Sequence, residues 1–221
     1  MRVAALHDVH GNLPALEAVL AVVAALEVDA IVCGGDVVAG PFPRECLELL
    51  DRHEALYVRG NGDREPWDWV AERLKLATLE RLRGLPHALP LDGVLYCHGS
   101  PRRDDEILTR ISPEARVREA LAGVAERVVV GGHTHVQYER VVDEIRLVNA
   151  GSVGSPYEGR PGAFWALVDG GAVELRRTVY AVEPAVALIR ASGYPAADDL
   201  AATLLEPPDP DLVSAHFESL A

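Results

Sequence analysis

Five times in the first 135 residues a short apolar run ends in glycine together with a side chain that offers oxygen or imidazole nitrogen. Val3 to Leu6 leads into Asp8-Val9-His10-Gly11-Asn12, Ala30 to Cys33 into Gly34-Gly35-Asp36, and Ala55 to Val58 into Gly60-Asn61-Gly62-Asp63. Val94 to Cys97 leads into His98-Gly99-Ser100, and Arg127 to Val130 into Gly131-Gly132-His133-Thr134-His135. Runs of this length bounded by turn formers read as buried strands. Helices are predicted between them. Asn12 is a capping residue, Pro14 suits a first turn, and Leu13, Leu16, Leu20, Val23 and Leu26 recur at three- or four-residue steps through about Glu27. Arg44 to Arg52, Trp67 to Leu82 and Pro113 to Leu121 read as further helices. In an α/β sheet built this way the strand ends open on one edge, and ligands bind outside those carboxyl ends.

Beyond His135 the texture changes. Tyr138 to Val142, Ile145 to Val148, Ala163 to Val168 and Ala172 to Tyr180 read as strands, with turns at Asp143-Glu144 and Gly170-Gly171, the second a hairpin signal. Alternating strands and helices followed by a run of strands predict an α/β fold, a four-layer α/β/β/α sandwich of two mixed sheets flanked by helices. At 221 residues the chain suits a single domain spanning 1–221, with a motif-bearing body of about 1–180. The remainder, about 181–221, carries Pro195 and the Pro207-Pro208 break and is expected to form a helical appendage wrapping the body.

Charge limits the partners. The chain has 21 basic and 34 acidic residues, a formal charge of −13, which opposes the attraction that extended nucleic acid or an anionic membrane surface requires. Its three cysteines, Cys33, Cys46 and Cys97, are an odd number without finger-like spacing, so neither a disulfide framework nor a cysteine-based zinc site is expected. The initial apolar run is too short for a signal-peptide core, and no later stretch approaches about 18 uninterrupted apolar residues. A cytoplasmic protein is the expectation.

Asp8, His10, Asp36, Asn61, His98, His133 and His135 all fall just beyond the five predicted strand ends. A mixed set of oxygen and imidazole donors suits Mn, Fe, Zn or similar dications better than Ca or Mg. His133 and His135, two apart on an extended segment, point the same way and can share a site. Competing motifs fail. Gly60-x-Gly62-x-x-Glu65 ends in Glu where a dinucleotide loop needs a small residue, and His53-Glu54 meets Tyr57 where a zinc protease needs a second His. No G-x-x-x-x-G-K-[ST] occurs, and neither Ser100 nor Ser152 lies in G-x-S-x-G.

The succession D-x-H-G-N, G-G-D, G-N-x-D, H-G-S and G-H-T-H resembles the calcineurin-like metallophosphoesterase family, and within it the small prokaryotic phosphodiesterase-like branch. The likeness covers roughly residues 1–180, including the Asn149 to Gly154 turn. It implies two divalent ions, Mn2+ first with Fe, Zn, Ni or Co as alternatives. Asp8, His10 and His135 would hold one ion, Asn61, His98 and His133 the other, with Asp36 bridging both. Two dications less the charges of Asp8 and Asp36 leave about +2 locally, so an acidic protein still attracts a small phosphate ester here. A hydroxide between the ions would attack phosphorus in line. Catalytic roles are expected for Asp36, Asn61 and Asp63, and substrate binding for Asn61, for Asn12 in the first motif and for Arg102 on the loop after His98-Gly99-Ser100.

One position departs from the family pattern. Where many members have G-N-H-[DE], residue 62 is Gly. The missing His would protonate a leaving group, a step that contributes about a hundredfold to ten-thousandfold. A small phosphodiester of cyclic, aryl or nucleotide type is therefore expected, with a phosphomonoesterase or a catalytically weak metal-binding scaffold as alternatives. His7 should face away from the ions because adjacent strand residues point oppositely. Arg102 can bind phosphate or pair with Asp104, Asp105 or Glu106, while Arg64 and Arg160 suit ordinary solvated surface. Asn12 is already explained as a cap. Trp67 and Trp69 can wall a base or simply fill the core, and Cys33 and Cys97 are expected as small buried groups.

Overall fold

The apolar runs become the strands of two sheets in a computed structural model that describes residues 1–221. The first sheet contains β1 (Arg2–Leu6), β2 (Ala30–Cys33) and β3 (Leu56–Tyr57), and the second β4 (Ala88–Leu91), β5 (Val94–Cys97), β6 (Val128–Gly131), β7 (Tyr138–Val142) and β8 (Ile145–Asn149). β9 (Ala163–Asp169) and β10 (Ala172–Thr178) return to the first sheet, giving the orders β10-β9-β1-β2-β3 and β4-β5-β6-β8-β7. β1, β2 and β3 run parallel, as do β5, β6 and β8, while β4, β7, β9 and β10 pair antiparallel. Both sheets are mixed, as expected.

Side-chain alternation sorts the layers. Val3 and Ala5 of β1 join Val32, Val94, Tyr96, Val128 and Val130 in a cluster between the sheets. Ala4 and Leu6 face the other way, against Leu16, Val19, Leu20 and Val23 of α1 (Leu13–Ala24) and Cys46, Leu47 and Leu50 of α2 (Pro43–Arg52). Asn12 caps α1 by accepting from the Ala15 amide at 3.2 Å. After α3 (Asn61–Arg64), α4 (Asp68–Ala71) and α5 (Leu76–Arg83), the helix α6 (Glu114–Ala120) covers the outer face of the second sheet with Val117 and Ala120 against Leu95, Cys97 and Val129.

Two local expectations are corrected. The single helix predicted from Trp67 to Leu82 is divided into α4 and α5. The Arg73 amide bonds Val70 O at 3.0 Å, and the Arg73 guanidinium takes the Trp69 carbonyl that a continuing helix would use, at 2.8 Å, while lying over the Trp69 ring. β4 was not anticipated. It forms a hairpin with β5 through Asp92-Gly93, both at positive φ, and Pro90 is tolerated there because β4 is an edge strand.

The last forty residues form α7 (Val182–Ala191), α8 (Ala197–Leu205) and α9 (Pro210–Leu220). α7 and α8 share a cluster of Val186, Ile189, Leu200 and Leu204 that meets the body at Phe42, Trp69 and Tyr180. No helix is long and apolar enough to cross a membrane. α9 is held by Glu218, which accepts from Thr109 Oγ1 at 2.7 Å and also binds Ser112 and Arg116. Burial opposes the charge on Glu218, but the two hydroxyls and Arg116 hold its carboxyl below the usual range. Such a group stabilises the fold above its unfolded pKa, and the contribution is lost as pH falls through the lower folded value. Glu218→Gln is therefore expected to cost about 1 kcal/mol at pH 7, a fall of about 2–4 °C in Tm, with the gap from wild type closing below about pH 4.5. Melting curves across pH check this. A gap constant down to pH 3 would contradict it.

Candidate metal centre

Because β1, β2 and β3 run parallel, as do β5 and β6, their carboxyl ends deliver the five motif loops to one edge. The turn at each end is sharp. Asp8, His10, Asp36, His133 and His135 all adopt positive φ, at 55°, 48°, 52°, 71° and 58°. Non-glycine residues in this region cost on the order of 1–3 kcal/mol each and persist only where their surroundings over-determine them. Here the sheet ladder continues into the loops, with Asp8 N–H on Gly35 O at 3.1 Å, His10 N–H on Asp36 O at 2.9 Å and Gly132 N–H on His98 O at 2.8 Å.

Asp8 stands at the middle. Its Oδ1 lies 3.3 Å from His135 Nε2, 3.7 Å from His10 Nε2 and 3.8 Å from His98 Nε2, while Oδ2 accepts the His133 amide at 2.8 Å. Asp36 Oδ2 lies 3.6 Å from His98 Nε2 and 3.9 Å from His10 Nε2, and its Oδ1 accepts the Gly62 amide at 2.7 Å. Two groups result, Asp8 with His10 and His135, and Asp8 with Asp36 and His98, each with ligand atoms within 4.8 Å of one another. Asp8 is the residue common to both groups, whereas Asp36, expected to bridge, belongs to the second and approaches the first only at His10 Nε2, 3.9 Å away.

The imidazoles are oriented for a cation. His10 Nδ1 donates to Ala39 O at 3.2 Å, His98 Nδ1 to Gly34 O at 2.9 Å and His135 Nδ1 to Ser155 O at 2.6 Å. Carbonyl oxygens only accept, so each Nδ1 carries hydrogen and Nε2 is left as the atom that faces the carboxylates, free to meet a cation. His10 Nε2 and His135 Nε2 then face each other at 3.0 Å, which is repulsive unless positive charge lies between them. Asp8 Oδ1, Asn61 Oδ1 and His98 Nε2 are buried with no hydrogen-bond partner. Buried polar atoms are rarely left so, and these donors suit a divalent transition metal.

The two carboxylates draw positive charge to this place. Burial disfavours a charged His98, yet the carboxylates of Asp36 and Asp8 outweigh it and raise the ring to about 10. Burial also pushes Asp8 and Asp36 upward, but the surrounding imidazoles hold both below the ordinary carboxylate range. Burial, with the His98 charge added, lowers His133 to about 4.

The other expected residues divide. Asn61, at the start of α3, lines the same cleft as His10 and Asp36. The His133 ring packs edge-on to His98 at 5.1 Å, outside the two tight groups. The geometry gives Asp63 a bracing role in place of the catalytic one expected for it. Its buried carboxylate accepts the amides of Val37, Val38 and Gly60 at 2.9, 3.2 and 3.2 Å, tying the second and third motif loops together. Burial and the nearby Asp36 charge push its carboxyl up to about 6. Asn12 is fully buried, capping α1 and donating to Gly154 O at 2.9 Å, so it does not meet substrate. Arg102 is not among the residues lining the cleft, and Glu106 and Glu119 bind its guanidinium at 2.5 and 2.9 Å.

His7 turns away from the site, as expected, with Nε2 3.1 Å from Cys97 O. A Cβ on Gly34 would overlap the His7 ring, and the Gly34 carbonyl is the one that fixes His98. Gly34→Ala is expected to cost about 1–3 kcal/mol through overpacking, lowering Tm by about 2–10 °C. Thermal unfolding reads it directly, and a variant melting with wild type would refute the close fit. Tyr157, Tyr194 and Asp199 also line the cleft. No local motif marks them, because tertiary placement alone brings them there.

Imidazoles and carboxylates gathered at the strand ends of a four-layer sandwich define a phosphoesterase architecture. Residues 1–170 match the calcineurin-like phosphoesterase superfamily domain, and the chain belongs to that family. It is similar to a metallophosphoesterase from Sphaerobacter thermophilus, with 29% identity and a TM-score of 0.81 over 94% of this chain and 100% of that one. The hypothetical protein PH1004 from Pyrococcus horikoshii OT3 shares the fold at 21% identity, with a TM-score of 0.81 over 94% of this chain and 99% of that one. The uncharacterised protein MJ0912 of Methanocaldococcus jannaschii is 28% identical over 203 residues, covering 76% of this chain and 82% of that protein.

Proposed function

We propose that the chain is a dinuclear metal-dependent phosphoesterase that hydrolyses a small phosphodiester of cyclic, aryl or nucleotide type. The observation that carries this reading is the set of inward Nε2 atoms on His10, His98 and His135, fixed by carbonyls at their other nitrogen and gathered around Asp8 and Asp36. Asp8, His10 and His135 would hold one ion, and Asn61, His98 and His133 the other, with both carboxylates between them. Mn2+ is the first choice, and Fe, Zn, Ni or Co fit the same donors. Bound dications supply acidified water and neutralise the phosphate oxygens.

The chain's own residues do the rest. Gly62 N–H fixes Asp36 at 2.7 Å, and Asp63 holds the loops that carry both. Position 62 offers no side chain to protonate a leaving group, which supports esters whose alcohol leaves without that help. The three cysteines are free and buried, which supports a reducing, cytoplasmic setting. The test is hydrolysis of bis-p-nitrophenyl phosphate and of simple alkyl phosphomonoesters by the Mn2+-loaded protein. Turnover of the diester that exceeds that of the monoesters and vanishes with chelator is expected. Faster monoester hydrolysis would overturn the preference, and absence of any metal-dependent turnover would leave the scaffold reading.

A further inference from the structure

The C-terminal helices reach into the site. A cavity of about 340 Å³ opens over His10, Asp36 and His135, lined also by Trp67 and by Tyr194, Asp199 and Leu200 from the α7–α8 region. Its size is at the low end for small-molecule sites, enough for one organic substituent beside the phosphate.

Trp67 is 60% exposed, although an indole is among the most favourable side chains to bury. It is nevertheless held. Its ring stacks on Tyr194 with centroids 6.1 Å apart and planes 16° from parallel, and Trp69 meets Tyr194 edge-on at 5.2 Å. The indole is therefore braced by a buried tyrosine while much of it stays open at the cleft. Tyr157 stacks on His135 at 4.8 Å, extending the aromatic lining down to the metal centre. No Lys or Arg lines this cavity, and α8 contributes the carboxylate of Asp199. Such a wall attracts no phosphate beyond the one at the ions, and it suits a planar group bearing N–H donors.

We propose that Trp67, backed by Tyr194 and accompanied by Asp199, is a subsite for the nucleobase of a mononucleotide-type ester, so that the segment after residue 181 sets substrate choice. The inference rests on the phosphoesterase reading above. It predicts a binding preference that a purely structural Trp67 would not give. Base stacking on an aromatic side chain is worth about tenfold or more in affinity.

The experiment is calorimetric titration of adenosine 5′-monophosphate and of ribose 5-phosphate into the Mn2+-loaded full chain. The nucleotide is expected to bind about tenfold or more tightly, with a ratio that falls to within about twofold of one in Trp67→Ala and largely survives in Trp67→Phe. Asp199→Asn is expected to narrow the preference for adenosine 5′-monophosphate over purine riboside 5′-monophosphate, which lacks the exocyclic amine. Equal affinities in wild type, or a ratio that persists in Trp67→Ala, overturn the subsite. Metal-dependent binding of ribose 5-phosphate with no gain from the base removes the subsite alone. Failure of both ligands to bind, with or without chelator, removes the phosphoesterase reading as well.

Discussion

Asp8→Asn is expected to lower metal-dependent phosphodiester hydrolysis by about a thousandfold or more and to remove most of the bound metal. The substitution keeps the shape of the side chain and an acceptor for the His133 amide, which Asp8 Oδ2 holds at 2.8 Å. It removes the negative charge that sits within 3.8 Å of three imidazole Nε2 atoms. Charge stabilisation by a metal site is worth several kcal/mol, and each 1.36 kcal/mol is about a tenfold change in rate. Asp8 belongs to both ligand groups, so its loss should weaken both together. Elemental analysis of the purified variant and kcat on bis-p-nitrophenyl phosphate read the two effects separately. Wild-type metal content with wild-type turnover would end the proposed mechanism.

Gly62→His is expected to raise alkyl phosphomonoester hydrolysis by about a hundredfold while leaving an activated aryl diester unchanged or slower. The backbone at 62 lies in α3 and does not require positive φ, so a side chain is conformationally allowed. A Cβ there would stand 3.0 Å from Ala39 Cβ and 3.0 Å from Asp36 Oδ1, a fit that needs a few tenths of an ångström of adjustment. The amide that binds Asp36 is retained. An imidazole beside the cleft can donate a proton to a poor leaving group, which contributes about a hundredfold to ten-thousandfold, whereas p-nitrophenolate needs no such help. The pH profile for the monoester should acquire a falling limb near the ordinary His pKa of about 6.5. Equal changes for both substrates would show that the gap at 62 serves room rather than proton transfer.

The sandwich and the gathering of ligands were legible because the chemistry sits at strand ends, where apolar runs and glycine punctuation mark both the element and its direction. Asp8, His10, Asp36, His98 and His135 could be placed together from that pattern alone, and the structure unites them. What escaped depends on contacts between distant segments. Nothing near Asp63 in sequence reveals that Val37 and Val38 will claim its carboxylate, and nothing near Arg102 reveals Glu119. The division between α4 and α5 turns on one guanidinium capturing a carbonyl. Tyr194 and Asp199 enter the cleft only because α7 and α8 dock against Phe42 and Trp69.

His7 and Asp8 are buried neighbours with opposite fates, one turned to the Cys97 carbonyl and one to the metal-ligand groups, and both follow a strand held in the register Leu6 opposite Cys33. Shifting β1 by one residue would exchange them, taking the carboxylate away from the imidazoles and setting a ring in its place. Insertions and deletions should therefore be rejected at the ligand edge. They should be tolerated in the connections at the far ends of the strands, such as residues 25–29 between α1 and β2, the Gly123 turn before β6 and the Asp143-Glu144 hairpin. Those turns are where a fluorescent label, an affinity tag or new chain termini can be introduced without disturbing the ligand edge.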